Sequence, residues 1–446
     1  MTYNVIPRLE ALSPRRSNVL YALLFRRSGQ LLIALILGAL VPVIFRFGLE
    51  STLDLPADLG RLLSGRPIQG DHLLAISINV LGVLLTHLLY HQFSPYPGKD
   101  ALSQSLPACV LGFGLTVVII TLGQLDFSRF LLLSGFISTL CWYSLVNILQ
   151  GRFLRPRLLL APPGNAHELT VLKEAEWVVA SKPDSLSQAR QCDGVVVDLS
   201  ADIDPEWAQF IVSCANDGIA IFDSTRTKET LKGEIELQHL GDIGIDTLLP
   251  RRGYLDIKSA IDFSIAIAVL PIVLPVLAVT AVAIKLDSPG SVFFVQERVG
   301  YRGRVFRCYK LRSMTINAEL SGPSFTTAFD PRVTRIGRFI RKFRIDELPQ
   351  IFNILKGEMS WIGPRPEAVP LSREYERHIN FYAFRHAVKP GISGWAAIRQ
   401  GNVAEVAAAT EKLRQDFFYI KNLSASLDLY IACRTVWIMV TGFGSK

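Results

Sequence analysis

FSIAIAVLPIVLPVLAVTAVAI, residues Phe263–Ile284, is a run of 22 residues without a charge in a chain of 446. A helix that spans a membrane needs about 20 apolar residues, so the run is long enough to cross. Two features set it apart from an ordinary span. Pro271 and Pro275 fall in its middle, and each proline removes a backbone hydrogen bond and crowds the turn before it. Both flanks are basic: Arg251, Arg252 and Lys258 precede it, and Lys285, Arg298, Arg302, Arg304 and Arg307 follow. Basic flanks stay on the cytoplasmic side, so a crossing helix would strand one of them outside. A broken helix over 258–286 that enters the bilayer and returns to the same face satisfies both features, provided protein or water covers its freed carbonyls. A kinked span is the alternative.

Toward the N-terminus lie four more uncharged stretches: Ser28–Phe45, His72–Gly98, Leu102–Leu125 and Phe130–Gly151. Arg8, Arg15, Arg16, Arg26 and Arg27 precede the first, and Arg152, Arg155 and Arg157 follow the last. Both ends then face inward, and four crossings satisfy that parity. The loops fit less well, because Arg46, Arg61 and Arg66 fall outside and only Lys99 marks the inner turn. A cleaved signal peptide is the weaker reading, since no small-x-small site follows the first run. His87 lies within the second stretch. It reads as a functional intramembrane group or as a neutral histidine beside Tyr90 and His91.

Composition agrees with a membrane protein. Half of the residues are hydrophobic and 19% are charged, below the ~25% of soluble chains, which excludes intrinsic disorder as the main state. The net charge is +8, which points to a cationic cytoplasmic surface rather than a nucleic-acid partner. Six scattered cysteines without a Cys-x-x-Cys argue against a disulfide framework or a zinc site.

Between about Arg155 and Arg252, short β-like runs (Arg157–Ala161, Glu176–Ala180, Gly194–Leu199, Gly218–Phe222) alternate with helix-like stretches such as Pro205–Ala215. The alternation predicts a small α/β, Rossmann-like unit with a parallel sheet. Its first strand ends in Ala161-Pro162-Pro163-Gly164-Asn165, with one glycine where a dinucleotide site wants three. A scaffold or regulatory domain is the favoured reading.

Beyond the apolar run, Arg298–Arg344 holds twelve Lys/Arg against Glu319 and Asp330. Within it Ile336, Phe339, Ile340 and Phe343 recur at helical spacing, with Arg335, Arg338, Arg341 and Lys342 between them. That is an interfacial amphipathic helix with a cationic face; the same charges suit phosphate, whether of lipid, substrate or nucleic acid. Asp346-Glu347-Leu348-Pro349-Gln350 then opens a stretch with Leu348, Ile351, Phe352 and Leu355 on one face, closed by Lys356-Gly357. Asp346 falls at or near the N-cap, where the dipole and nearby arginines keep a carboxylate ionised. Such a carboxylate can serve as nucleophile for phosphoryl transfer, the pair can hold Mg²⁺, or the two can simply cap the helix. Gly363-Pro364-Arg365-Pro366-Glu367 displays a rigid arginine suited to phosphate, or is a tight turn. Trp395, after Pro390-Gly391-Ile392-Ser393-Gly394, can pack on a base or anchor at the interface, or the cluster is simply a tight turn.

Taken in order, the broken hairpin, Gln296-Glu297-Arg298-Val299-Gly300, Tyr309-Lys310-Leu311-Arg312-Ser313-Met314, Phe343-Arg344-Ile345-Asp346-Glu347-Leu348-Pro349-Gln350, Asn353-Ile354-Leu355-Lys356-Gly357-Glu358-Met359-Ser360, the Gly-Pro-Arg-Pro-Glu loop and Gly394-Trp395 resemble the bacterial sugar transferases. These are polyprenyl-phosphate hexose-1-phosphate transferases, or phosphoglycosyl transferases with a re-entrant membrane helix. The resemblance covers Gly253–Lys446, 194 residues.

What the resemblance implies is specific. Asp346 would attack the β-phosphate of a UDP-sugar, releasing UMP and leaving a sugar-phosphate on the enzyme, which undecaprenyl phosphate then accepts. Glu347 would assist as metal partner or by handling the acceptor, so that Asp346 and Glu347 are the catalytic and metal residues. Arg341, Lys310, Arg312, Arg365 and Glu367 would bind substrate, with Mg²⁺ as cofactor. The large form of the family implies four transmembrane helices (1–151), a cytoplasmic α/β domain (152–252) and a mainly α catalytic domain (253–446). It also implies the bacterial inner membrane with catalysis on the cytoplasmic face, the first step of exopolysaccharide, capsule or O-antigen synthesis, and homo-oligomer or polysaccharide-assembly partners. A catalytically silent scaffold of the same fold is the alternative. The chain departs from the family twice: Leu274-Pro275 replaces the usual Ser-Pro at the break, and Ala396-Ala397-Ile398-Arg399 replaces Ala-Gln-Val-Asn.

Overall fold

The structure, a computed structural model, describes residues 27–42, 72–92, 102–125, 127–153, 156–172, 175–237, 252–315, 330–399 and 406–441. Arg8, Arg15, Arg16, Arg26, Arg46, Arg61, Arg66, Lys99, Arg155, Arg251 and Glu319, used above for orientation and charge, lie outside these residues. The chain divides into two compact units, Met1–Lys232 and Gly233–Lys446.

The first unit begins with apolar helices α1 (Arg27–Leu35, running on through a π turn to Leu40), α2 (His72–Gln92), α3 (Leu102–Leu122) and α4 (Arg129–Phe153). Gln104–Leu122 and Arg129–Leu149 are long and apolar enough to cross a membrane, whereas Arg27–Leu40 and Ile76–His91 are shorter apolar helices. Val83, Tyr90, Ala108, Phe113, Trp142 and Tyr143 form their shared core. Polar groups in that core bond across helices, as apolar surroundings require. Tyr143 Oη lies 2.7 Å from His87 Nδ1, Tyr90 donates to Asn147, and Trp142 Nε1 donates to the Gln30 carbonyl at 3.0 Å. His87 is therefore a buried, partnered histidine. Glycine is needed where α3 meets α2: a Cβ on Gly112 would stand 2.6 Å from the Thr86 amide nitrogen.

The same unit carries a four-stranded parallel sheet of order β2-β1-β3-β4, from β1 (Arg157–Leu160), β2 (Glu176–Val179), β3 (Gly194–Val197) and β4 (Ile221–Asp223). All four residues of β3 are buried, the continuous apolar pattern expected when helices cover both faces. The last strand begins later than its sequence suggested. Gly218 has φ +76° and belongs to the turn after α5 (Pro205–Asn216), so it is a helix stop rather than a strand start, and β4 runs directly into α6 (Ser224–Lys232). The turn after β1 is closed by the chain's own carboxylate: Asp198 Oδ2 accepts from the Asn165 amide at 2.9 Å, and Asp198 Oδ1 accepts from Ser200.

In the second unit, α7 (Arg252–Asp287) contains the apolar run as one helix of 36 residues with both prolines inside. The expected break is thus not an interruption of the helix. Without N–H groups, Pro271 and Pro275 leave the carbonyls of Ile267 and Pro271 without their usual partners, which weakens two successive turns. The stretch Gly253–Asp287 is long and apolar enough to cross a membrane. Near its N-terminal end Lys258 pairs with Asp428 at 2.7 Å and Ser360 donates to Asp262 at 2.6 Å. At its C-terminal end Asp287 accepts from the Ile336 amide, and Arg312 donates to the Ser288 carbonyl at 2.7 Å.

Around α7 pack the antiparallel hairpin β5 (Phe293–Val299) and β6 (Val305–Leu311), helices α8 (Arg335–Lys342) and α9 (Ile351–Leu355), and the parallel pair β7 (Ser360–Ile362) and β8 (Gly391–Ser393). Helices α10 (Val369–His378), α11 (Trp395–Arg399), α12 (Val406–Lys421) and α13 (Ala425–Thr441) complete it. Ala266, Leu277, Phe306, Ile340, Ile351 and Ile354 share one core. The amphipathic α8 splits its apolar residues: Ile340 is buried, while Phe339 is exposed beside the arginines. Gly337 lets α8 approach β6's exit, since a Cβ there would lie 2.0 Å from the Ser313 carbonyl oxygen. Residues after Lys232 already belong to this unit: Ile235 is buried and its amide donates to the Arg414 carbonyl.

Candidate active site

The site forms where β6, the turn after α8 and the Gly-Pro-Arg-Pro-Glu loop converge. Arg344 adopts the left-handed conformation, φ 53°, and a 3₁₀ turn Ile345–Gln350 leads directly into α9. Arg344, rather than Asp346, therefore occupies the cap position, and Asp346 sits inside the first turn. Left-handed backbone costs a non-glycine residue about 1 kcal/mol or more, and here it turns the chain sharply enough to set Asp346 and Glu347 beneath β6.

Glu347 is buried among cations. Lys310 Nζ lies 3.2 Å from its Oε1, Arg344 lies 3.5 Å from Oε2, and Arg365 spans both oxygens. Burial alone would raise its pKa, but Arg365, Lys310 and Arg344 outweigh burial and hold the carboxyl well below its ordinary range. Asp346 is the opposite case. Among the described residues it has no ion-pair partner. Burial first, and then the neighbouring negative charge of Glu347, push its pKa up to about 6, against the pull of Lys310, Arg365 and Arg341. The expected dipole effect is thus overridden by desolvation, although a group with that pKa is still ionised in roughly nine molecules of ten at pH 7. Lys310 feels the same burial, which lowers its pKa against the pull of Glu347. Four cations (Lys310, Arg341, Arg344, Arg365) face two carboxylates, and the excess is positive.

The other expected residues lie differently. Arg312 donates to the carbonyls of Ser288 and Pro289 and to Ser288 Oγ, closing the C-terminal end of α7. Glu367 pairs with Lys412 and approaches Arg385 at 3.8 Å. Burial is outweighed by those cations, and its pKa is held down to about 2. Trp395 is neither a base platform nor an interface anchor. It is 1% exposed, stacks on Phe418 at 5.4 Å, and donates to the Gly233 carbonyl at 2.7 Å. Arg344, Arg298 and Arg385 are the residues that sequence reasoning left out of the site. Arg344 and Arg298 had local signals, the one three residues before Glu347 and the other inside the Gln296–Gly300 motif, and Arg385 had none.

The carboxylate pair fits a metal ion poorly. The oxygens of Glu347 are already taken by three cations, so a divalent ion bridging the pair would sit against Lys310 and Arg365. Of the pair, only Asp346 presents oxygens without an ion-pair partner among the described residues. Among the described residues no group of three metal-ligating side chains occurs.

A family model described as bacterial sugar transferase matches residues 254–442. The UDP-N-acetylgalactosamine-undecaprenyl-phosphate N-acetylgalactosaminephosphotransferase of Aeromonas hydrophila is 40% identical over 380 residues, covering 83% of this chain and 89% of that one. This chain belongs to the bacterial sugar transferase family. The UDP-glucose:undecaprenyl-phosphate glucose-1-phosphate transferase of Escherichia coli is 40% identical over 192 residues, 43% of this chain and 41% of its own. The undecaprenyl-phosphate glucose phosphotransferase of Komagataeibacter xylinus is 43% identical over 187 residues, 40% of this chain and 35% of its own. The matched segment thus covers less than half of the length of each of those two relatives. The family match contains the whole cluster, from Arg298 to Asp416.

Proposed function

We propose that this transferase moves a sugar-1-phosphate from a UDP-sugar to undecaprenyl phosphate through a covalent intermediate on Asp346. The observation that carries the proposal is the unpaired, half-buried Asp346 inside a cluster with excess positive charge. An Asp346 oxygen attacks the sugar-bearing phosphorus, the bond to the bridging oxygen breaks, and UMP leaves with that electron pair. A phosphate oxygen of undecaprenyl phosphate then attacks the same phosphorus and frees Asp346. Arg341 and Arg365 balance the diphosphate charge, and Lys310 with Arg344 keeps Glu347 ionised. Mg²⁺ is expected as companion of the donor's diphosphate, not as a bridge between Asp346 and Glu347.

Both ends of α7 are fastened to the same catalytic unit, through Lys258–Asp428 at one end and Asp287 and Arg312 at the other. This supports a helix that dips into the bilayer and returns, with catalysis on the cytoplasmic face of the inner membrane where nucleotide sugars are made. The relative matched over 83% of this chain is named for N-acetylgalactosamine, so UDP-N-acetylgalactosamine is the first donor to try for this step of surface-polysaccharide synthesis. The parallel-sheet domain reads as a Rossmann-like scaffold. Membranes holding the protein, with UDP-sugars, Mg²⁺ and undecaprenyl phosphate, should release UMP and form undecaprenyl-diphospho-sugar. Release undiminished in Asp346→Asn would overturn the nucleophile.

A further inference from the structure

The loop that carries Arg365 is held by its carbonyls. Pro364 and Pro366 have no N–H, so the loop cannot tie itself down with its own donors. Instead the Pro364 carbonyl accepts from the Gly391 amide at 3.0 Å, and the Glu367 carbonyl accepts from the Val299 amide at 3.0 Å. The Pro366 carbonyl accepts from Arg298 Nη1. The Arg365 carbonyl accepts from Arg385 Nη2 at 2.9 Å, and the same nitrogen reaches Asp416 at 2.8 Å. Arg385 and Asp416 are both buried. With Lys412 and Glu367 they form a block whose charges cancel.

A neutral buried block of this kind is poor as a stabiliser, because apolar residues of the same volume commonly do as well. What apolar residues cannot do is donate to a carbonyl between two prolines. We propose that Arg385 is a positioning residue for sugar-phosphate transfer: by fixing the Arg365 carbonyl it holds the Arg365 guanidinium on Glu347. Glu367, on this assignment, balances Lys412 and Arg385 rather than touching substrate. The inference rests on the transfer reaction proposed above.

The test compares wild type, Arg385→Lys, and the double variant Arg385→Met/Asp416→Leu, which removes the pair without leaving a buried charge behind. Single-turnover UMP bursts count the competent molecules, and their rate reports positioning independently of folding yield. Asp346 is faced by Glu347 in its own turn, Arg344 just before it, Arg341 from α8, Lys310 from β6 and Arg365 from the loop. When Arg365 loosens, the acidic limb of the pH–rate profile should move up by about half a unit, a fraction of the one to three units that an adjacent arginine is worth. The burst rate of the double variant should fall by about tenfold or more, and Arg385→Lys should recover part of both effects. A double variant with wild-type burst rate and an unmoved acidic limb overturns the inference and leaves Arg385 a structural residue. Absence of UMP release from the wild type overturns the transfer reading and this inference with it.

Discussion

Asp346→Asn should abolish transfer and at the same time make the protein more stable, with a gain that depends on pH. The folded protein holds the Asp346 pKa near 6 against an ordinary 3.8, so it binds that proton more tightly than the unfolded chain does. Stability is then unaffected by this group below about pH 4 and is lost progressively as pH rises from 4 to 6. Above pH 6 the ionised carboxylate destabilises the fold by the full difference, on the order of 1–3 kcal/mol. Asparagine has the same shape and no charge to desolvate. For a unit of this size one kcal/mol is about 2–4 °C in melting temperature, so the variant should melt several degrees above wild type at pH 8. The gap should shrink steadily as pH falls toward 5. The assay is thermal unfolding of both proteins in the same detergent across pH 5–8, beside UMP release at pH 8. A variant that melts at or below wild type at pH 8, or a gap that does not change with pH, would refute the claim that burial and Glu347 strain this carboxylate.

Other outcomes follow from the same contacts. Arg312→Ala loses its bonds to Ser288 and Pro289 and should lower stability by about 1–3 kcal/mol with the KM for UDP-sugar unchanged; a tenfold rise in KM would return Arg312 to the diphosphate. Trp395→Ala empties a buried site against Phe418 and Tyr430 and should cost about 3–5 kcal/mol, read as a lower melting temperature, while the KM of the surviving enzyme stays put. Single cysteines at the exposed positions Asp256 and Ser291 should react with an impermeant thiol reagent from the same membrane face; labelling from opposite faces would make α7 a span.

Much of the catalytic unit is legible in one dimension because its determinants are local. The apolar run, its two prolines and its basic flanks predict a broken helix that enters and leaves by one face; the structure keeps the helix continuous and ties both of its ends to one unit. The Gly357 stop of α9 was legible through its left-handed backbone, and in the structure Thr334 caps the start of α8. Three placements differ from expectation for a common reason. Asp346 is expected at or near a cap, yet the left-handed cap residue is Arg344, and burial with the charge of Glu347 raises the Asp346 pKa against the pull of Lys310, Arg365 and Arg341. Trp395 is expected to pack on a base, anchor at the interface or end a tight turn, and it fills the core under Gly233. Arg312 and Glu367 were grouped with the phosphate-binding cations, yet one closes the end of α7 and the other pairs with Lys412. Each depends on which side chains lie opposite, and sequence spacing does not contain that information.

The sequence by itself determined the reaction class, and did so through resemblance: the ordered set of short motifs around Asp346-Glu347, beside an apolar helix with two prolines, is similar to the bacterial sugar transferases, whereas each motif read alone left a structural alternative open. Tertiary structure alone decided how the two adjacent carboxylates divide their work. Lys310 from β6, Arg344 from a left-handed turn and Arg365 from the proline loop all converge on Glu347 and leave Asp346 with none of them as a direct partner. Two neighbours in the chain thereby acquire pKa values pushed in opposite directions, because electrostatic energy depends on distance through space and on exclusion of water, not on position along the chain.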